Sequence, residues 1–475
     1  MPVRLKSWGI GTRRGTAGGR VHRSGSRREL GVLEVTLMTV GGIVGSGLFL
    51  ASGQAIHDAG PAVAVAYVIG ATAMAIELMA LAEMSAADPE RGSFLTYARR
   101  VLGPGATFVG GWIFWFSSVL NMAAEATAAA TFARLWFTHV PVWVFAVGFS
   151  LFIIGINFLA VKGFGEVEST MSAVKVLATL GFVAVAALAI FGVIGHRGPA
   201  GTGLGVFTRA GGFFPHGVRG VGAAMILVMF SMAGTGVLGL ASPSIRRPER
   251  TMGPSILATV GTVYLIYTAS ALGIVGLTVW NRVPAHTKSP FISALHTLPF
   301  PWLADVMNVV ILFAVLSAMN AGLFATDRVL SSLARAGDAP RRLGRVSGGV
   351  PRTANAVTGA ALALVSVLAY FLPKTAYLYL VTATGFQAIF VWILIVVTQI
   401  YYRRHILAAG RRPRFLLPLH PYLSWFEVAL LVAIIATAPL APRQILPLGL
   451  GVFVSLVFLG VYLALRGRRR AAAAG

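Results

Sequence analysis

The chain has no cysteine and very little charge. Without a thiol, disulfides, cysteine nucleophiles and thiolate metal sites are excluded outright. Asp, Glu, Lys and Arg make up 11% of the 475 residues, well short of the roughly one quarter typical of soluble domains. Acidic residues are the scarcer kind, 15 against 39 basic ones. No hydrophilic stretch is long enough for an extra soluble domain. A Walker phosphate loop is missing, which argues against direct drive by ATP. Gly45-Ser46-Gly47 lacks the strand–turn–helix setting of a hydrolase nucleophile. The histidines are scattered near the ends of apolar runs and suggest no metal cluster. These absences point away from an enzyme and from any cofactor or resident metal.

What fills the chain is apolar sequence. Hydrophobic residues make up 56% of it and the mean hydropathy is +0.79. Runs long enough to cross a bilayer recur from end to end. Twelve spans can be drawn, at about 32–52, 62–84, 106–136, 142–160, 168–194, 217–241, 255–280, 301–333, 353–372, 375–400, 422–440 and 444–465. A formal charge of +24 could suggest nucleic acid, but its distribution argues for a membrane. Placing the loops on alternate sides gives 29 Lys and Arg on the side of both termini and 8 on the other. The positive-inside rule then puts both termini in the cytoplasm, in a multi-pass protein of the inner (cytoplasmic) membrane. Residues 1–30, rich in Arg and Gly, read as a disordered basic cytoplasmic tail suited to anionic lipid, and 466–475 as a second basic tail. A secretory signal peptide is not expected, since eleven further runs follow the first.

Two of the runs are interrupted. The first carries Val44-Gly45-Ser46-Gly47-Leu48, and about 190 residues later the sixth carries Ala233-Gly234-Thr235-Gly236. Glycine weakens a helix interior, and unpaired backbone is not tolerated in lipid. Small residues can simply let helices pack closely. A matched pair of breaks, however, is the best sequence pointer to a binding site in a secondary transporter. Spans three and eight, about 30 residues each, are also matched if spans 1–5 and 6–10 are two repeats. Repeats of five spans must enter the membrane from opposite sides. The expected architecture is therefore an all-α membrane protein with a permease domain at 31–465. Inverted repeats would cover about 31–195 and 215–400, with two extra helices at about 422–465.

At this point the residues resemble a known family. Span one reads Gly45-Ser46-Gly47-Leu48-Phe49, followed by Ala59-Gly60-Pro61. Leu81-Ala82-Glu83-Met84, Pro89, Gly92-Ser93-Phe94 and Tyr97-Ala98 follow in the first cytoplasmic loop. Gly111-Trp112, Ala124-Glu125 and Trp136 mark span three. Phe164-Gly165-Glu166 and Val174-Lys175-Val176 mark span five. Further on come Ser289-Pro290-Phe291, Asn308, Leu316-Ser317-Ala318-Met319-Asn320-Ala321-Gly322, Arg328-Val329-Leu330 and Ala339-Pro340. In this order the motifs resemble the amino acid–polyamine–organocation (APC) superfamily of permeases, in its bacterial amino acid transporter branch. The resemblance implies a LeuT-like fold, 12 transmembrane helices in a 5+5 inverted repeat plus two C-terminal ones. The sixth span departs from the pattern. Gly236 stands where the family usually has a glutamate, and Ser244 where a second acid is usual before Pro248-Glu249.

The resemblance also implies roles. Helix N-termini suit a carboxylate, and unwound carbonyls suit an ammonium. The N–H groups of Ser46 and Gly47 would hold the carboxylate of an amino acid. The carbonyls of Ile43, Phe230, Ser231 and Ala233 would hold its ammonium. Phe230 would close over the ligand, or else simply pack in the core. Lys175, well inside span five, would occupy the place of a sodium ion against span one and link transport to protons. Its alternative is a lysine snorkelling to the interface. Glu125 could bind substrate, relay protons or only hydrogen-bond neighbouring helices. Glu77 reads as packing or an interface residue, Asn320 as a helix–helix hydrogen bond, and Glu83 and Arg91 as parts of a structural loop. The expected activity is proton-symport import of an amino acid or close amine relative. An amino acid/polyamine exchanger and a membrane sensor with little transport are the alternatives. The expected partners are the amino acid, the proton and the lipid bilayer, with no nucleic acid. In this reading Gly47→Leu blocks the carboxylate and leaves the fold largely intact.

Overall fold

The computed structural model describes residues 31–88, 94–159, 164–195, 204–236, 245, 248–347, 350–372, 376–411 and 415–474. The tail at 1–30, Arg91 and Ser244 lie outside the described residues. The first interrupted run forms α1 (Val32–Ile43), a wide turn at Gly47–Ala51, and α2 (Ser52–Ala59). Next come α3 (Val63–Ala87), α4 (Phe94–Val101), α5 (Pro104–Ala133), α6 (Val142–Leu159), α7 (Phe164–Ile190) and α8 (Gly217–Met232). The second half holds α9 (Pro248–Leu277), α10 (Pro290–Leu295), α11 (Pro301–Arg335), α12 (Arg352–Ser366), α13 (Leu368–Phe371), α14 (Ala376–Ala408), α15 (Tyr422–Ala436) and α16 (Ile445–Ala474). Several starts follow from proline at the first helical position, where its missing N–H costs nothing, as at Pro104, Pro290 and Pro301.

Among the described residues, nine helices are long and apolar enough to cross a membrane. Three shorter apolar helices lie at Val32–Ile43, Val142–Phe158 and Gly217–Met232. The chain is a multi-pass membrane protein. Burial within the bundle is graded. In the most apolar stretches of Gly47–Ala87 and Ala376–Ala408, 72% of residues are buried, against 6% in Pro442–Gly467. Inner helices apolar all round are covered by protein, while α16 presents Leu446, Phe453, Leu456 and Leu463 outward, as lipid contact allows. α16 also runs on to Ala474, past the end expected near 465, because strong helix formers, Arg and Ala, dominate its continuation around the single Gly467. α1 packs on α7, α9 and α11, and α2 packs on α8, so both interrupted segments sit at the centre.

Candidate functional site

The two breaks face each other. Ile43 ends α1, Val44 is extended at φ −79° and ψ 101°, and Leu48 and Phe49 both donate back to the Gly45 carbonyl. After α8, Ala233 is extended and Gly234 has φ +115°, a conformation side chains rarely adopt. A Cβ on Gly234 would lie 2.1 Å from the Gly42 carbonyl oxygen. One on Gly47 would lie 2.5 Å from Cα of Ser231. These glycines let the two backbones touch. The expectation for Gly47→Leu therefore changes: the added side chain strikes the opposite backbone, so the fold itself is disturbed.

Protein groups already meet the polar backbone here. The Ser46 N–H donates to both carboxylate oxygens of Glu125, at 3.1 and 3.0 Å, and the Ser46 hydroxyl donates to Oε1 at 3.0 Å. Gly45 makes room, since a Cβ there would lie 2.6 Å from Glu125 Oε1. The Tyr377 hydroxyl donates to the Ser46 carbonyl at 3.0 Å. On the carbonyl side, the Tyr267 hydroxyl lies 3.1 Å from the Ile43 oxygen and 2.7 Å from the Ser231 oxygen. One hydroxyl has one proton, so it serves only one of these acceptors at a time. The Phe230 carbonyl accepts the Ala233 N–H at 3.1 Å, which closes the last turn of α8. The Phe230 side chain is buried.

Lys175 lies beside this region and is fully buried, not snorkelling. Its Nζ donates to the Gly41 carbonyl at 2.9 Å, across from α7 to α1. Glu168 Oε1 is 3.9 Å away and accepts the Ser317 hydroxyl at 2.9 Å. Glu168, Tyr267 and Tyr377 were not singled out from the sequence. Glu168 had a signal. Glu168, Ser172, Lys175 and Thr179 recur every three or four residues and are all buried, a polar stripe on one face of an apolar helix. The two tyrosines gave none, because their partners come from distant helices.

The other polar residues have simpler settings. Asn320 accepts the Asn157 amide at 2.7 Å, tying α11 to α6. Glu83 receives Arg403, Gln399 at 3.0 Å and the Leu417 N–H at 2.8 Å. That knot fastens the end of α3 to α14 and the following loop. Next to it, outside the spans, burial and the charge of Arg403 hold the His420 imidazole below its ordinary range.

Tyr267→Phe isolates the carbonyl contact. Losing the hydroxyl removes the donor shared by the Ile43 and Ser231 carbonyls, which should cost about 1–3 kcal/mol of ligand-free stability. An ammonium ligand would restore the donors, so its thermal stabilisation should exceed the wild type's. Thermal unfolding with and without ligand checks this; an unchanged ligand-free transition would remove Tyr267 from the site.

Comparison with known proteins agrees with this architecture. Residues 34–466 match the family model for amino acid permeases. The chain belongs to the amino acid permease family. Within that family it is 33% identical to the uncharacterized amino acid permease YtnA of Bacillus subtilis, over 92% of this chain and 94% of that one. It is 33% identical to the gamma-aminobutyric acid permease of Bacillus subtilis, over 87% and 88%. The corresponding permease of Escherichia coli is 31% identical, over 86% and 88%. Among solved structures, a manganese transporter of Eremococcus coleocola superposes with TM-score 0.59 at 15% identity, covering 92% of this permease and 94% of that chain. At that identity the likeness speaks for the fold alone.

Proposed function

We propose that this permease imports an amino acid, or a close amine relative, across the cytoplasmic membrane by proton symport. The supporting observation is the chemistry that fills the breaks. A carboxylate, that of Glu125, rests on the Ser46 N–H, and a donor hydroxyl, that of Tyr267, rests between the Ile43 and Ser231 carbonyls. An anion on one side and a donor on the other is the pattern of a free amino acid's two ends. In this reading substrate displaces both, its carboxylate taking the amides of Ser46 and Gly47 and its ammonium the carbonyls. Lys175 on the Gly41 carbonyl, with Glu168 as counter-charge, supplies the cation that holds α1 to α7. Loss of its proton would weaken that link and shift the balance between outward- and inward-facing states.

The test starts with ligand-induced thermal shift against α-amino acids, gamma-aminobutyric acid and polyamines. Uptake of the best hit into proteoliposomes under an imposed proton gradient follows. Concentrative, gradient-dependent uptake is the expected result. Binding without flux would favour the sensor, and counterflow indifferent to the gradient would favour the exchanger.

The accompanying topology has twelve spans, a five-plus-five inverted repeat and both termini cytoplasmic, resting on the 29-to-8 basic asymmetry. Reporters fused at residue 475 and within 281–289 should then lie on opposite sides. The same sidedness for both would remove the twelve-span arrangement.

A further inference from the structure

Two carboxylates take no part in the site described so far. Glu77 lies in the second half of α3, and Glu427 in the second turn of α15. Both are 0% exposed, and none of their four carboxylate oxygens has a hydrogen-bond partner. α3 packs directly on α15, and Glu77 lies near enough to Glu427 for their charges to interact. Thr235, in the break after α8, stands beside Glu77 with a hydroxyl to offer it.

Among the described residues, the surroundings offer these groups no cation. α3 is covered by α8, α9, α14 and α15. From α9, the Tyr264 hydroxyl meets Thr72 and the Tyr267 ring packs on Tyr67. From α14, Gln399 and Arg403 are both taken by Glu83. From α15, Ser424 donates to Gln399. Neither carboxylate has an ion pair among the described residues. An ionised carboxylate without a cation is strongly disfavoured in such a place, and a second carboxylate nearby disfavours it further.

We propose that Glu77 and Glu427 form a proton-binding site separate from Lys175, in which at least one carboxyl is held as the neutral acid. The ligand is the proton. Release breaks the carboxyl O–H bond, passes the proton to a water molecule admitted when the neighbouring break moves, and leaves a carboxylate. Thr235 places the site against one interrupted helix, and Glu427 places it against α15. The last helix pair would then take part in proton binding as well as in packing. The site itself does not depend on the transport reading; its place in a symport cycle does.

Infrared difference spectroscopy on the purified full-length protein tests this without transport. Glutamine keeps the shape of a neutral glutamic acid, so Glu77→Gln, Glu427→Gln and the double variant are suited to folding normally. At neutral pH the wild type should show a carboxylic-acid C=O absorption that is missing from the double variant. Raising the pH should convert that absorption to carboxylate in the wild type only. A double-variant spectrum with the wild-type acid band intact would overturn the proposal; should the double not fold, a band left unshifted in both single variants would do so. Failure of wild-type uptake under a proton gradient would instead count against the proposed function and leave the infrared result standing.

Discussion

Lys175→Ala should convert concentrative uptake into equilibration, while ligand binding and counterflow persist in part. The ammonium joins α7 to the Gly41 carbonyl, near the end of α1 and just before the first break. Alanine removes both that bond and the positive charge, so a proton gradient no longer biases the cycle. The geometry adds a complication. Glu168 loses its cation and is left buried with the Ser317 hydroxyl. Removing one partner of a buried pair costs on the order of 3–5 kcal/mol. The informative protein is therefore Lys175→Ala combined with Glu168→Gln, which should regain stability without regaining accumulation. The measurement is uptake into proteoliposomes with and without an imposed gradient, beside thermal unfolding of the same preparations. Wild-type accumulation with the same pH profile would make Lys175 a structural residue and turn attention to Glu125.

Gly47→Leu should abolish binding and also destabilise the protein. Even the Cβ would stand 2.5 Å from Cα of Ser231 and 2.9 Å from its Cβ. Gly47 and Ser231 both belong to the central, buried part of the bundle, so the two interrupted helices have to separate. Overpacking of this kind costs on the order of 3 kcal/mol. Gly234→Ala should behave similarly for a second reason, since φ +115° is strained for any side chain. Thermal unfolding and ligand titration of the purified variants give both quantities. A Gly47→Leu protein with unchanged stability and affinity would show that the breaks do not form the site.

Much of this was legible in the sequence. Gly45-Ser46-Gly47 and Gly234 announced the breaks because clustered small residues recur at matched places in two apolar runs. Lys175 stood out because a lone lysine at membrane depth is costly. Among the described residues the apolar runs form helices, nine of them long and apolar enough to cross a membrane, because such runs leave the backbone no other way to satisfy its hydrogen bonds in lipid. What stayed hidden depends on which helices touch. Tyr267 and Tyr377 are ordinary tyrosines until their hydroxyls meet carbonyls more than 200 residues away by sequence separation, at Ile43 and Ser46. Glu125 was visible as an intramembrane acid, yet its seat on the Ser46 amide could not be read from spacing. The unpartnered state of Glu77 and Glu427 is likewise a property of the packed bundle.

The seat of Glu125 on Ser46 bears on turnover. In the proposed binding mode, loading would trade one carboxylate for another on the same amide, so the gain on arrival would be a difference between two similar contacts. The unloaded backbone would not be left bare, and the loaded state would not lie far below it in free energy. A carrier built this way would give up some tightness of grip and gain ease of unloading, which is what repeated cycling demands.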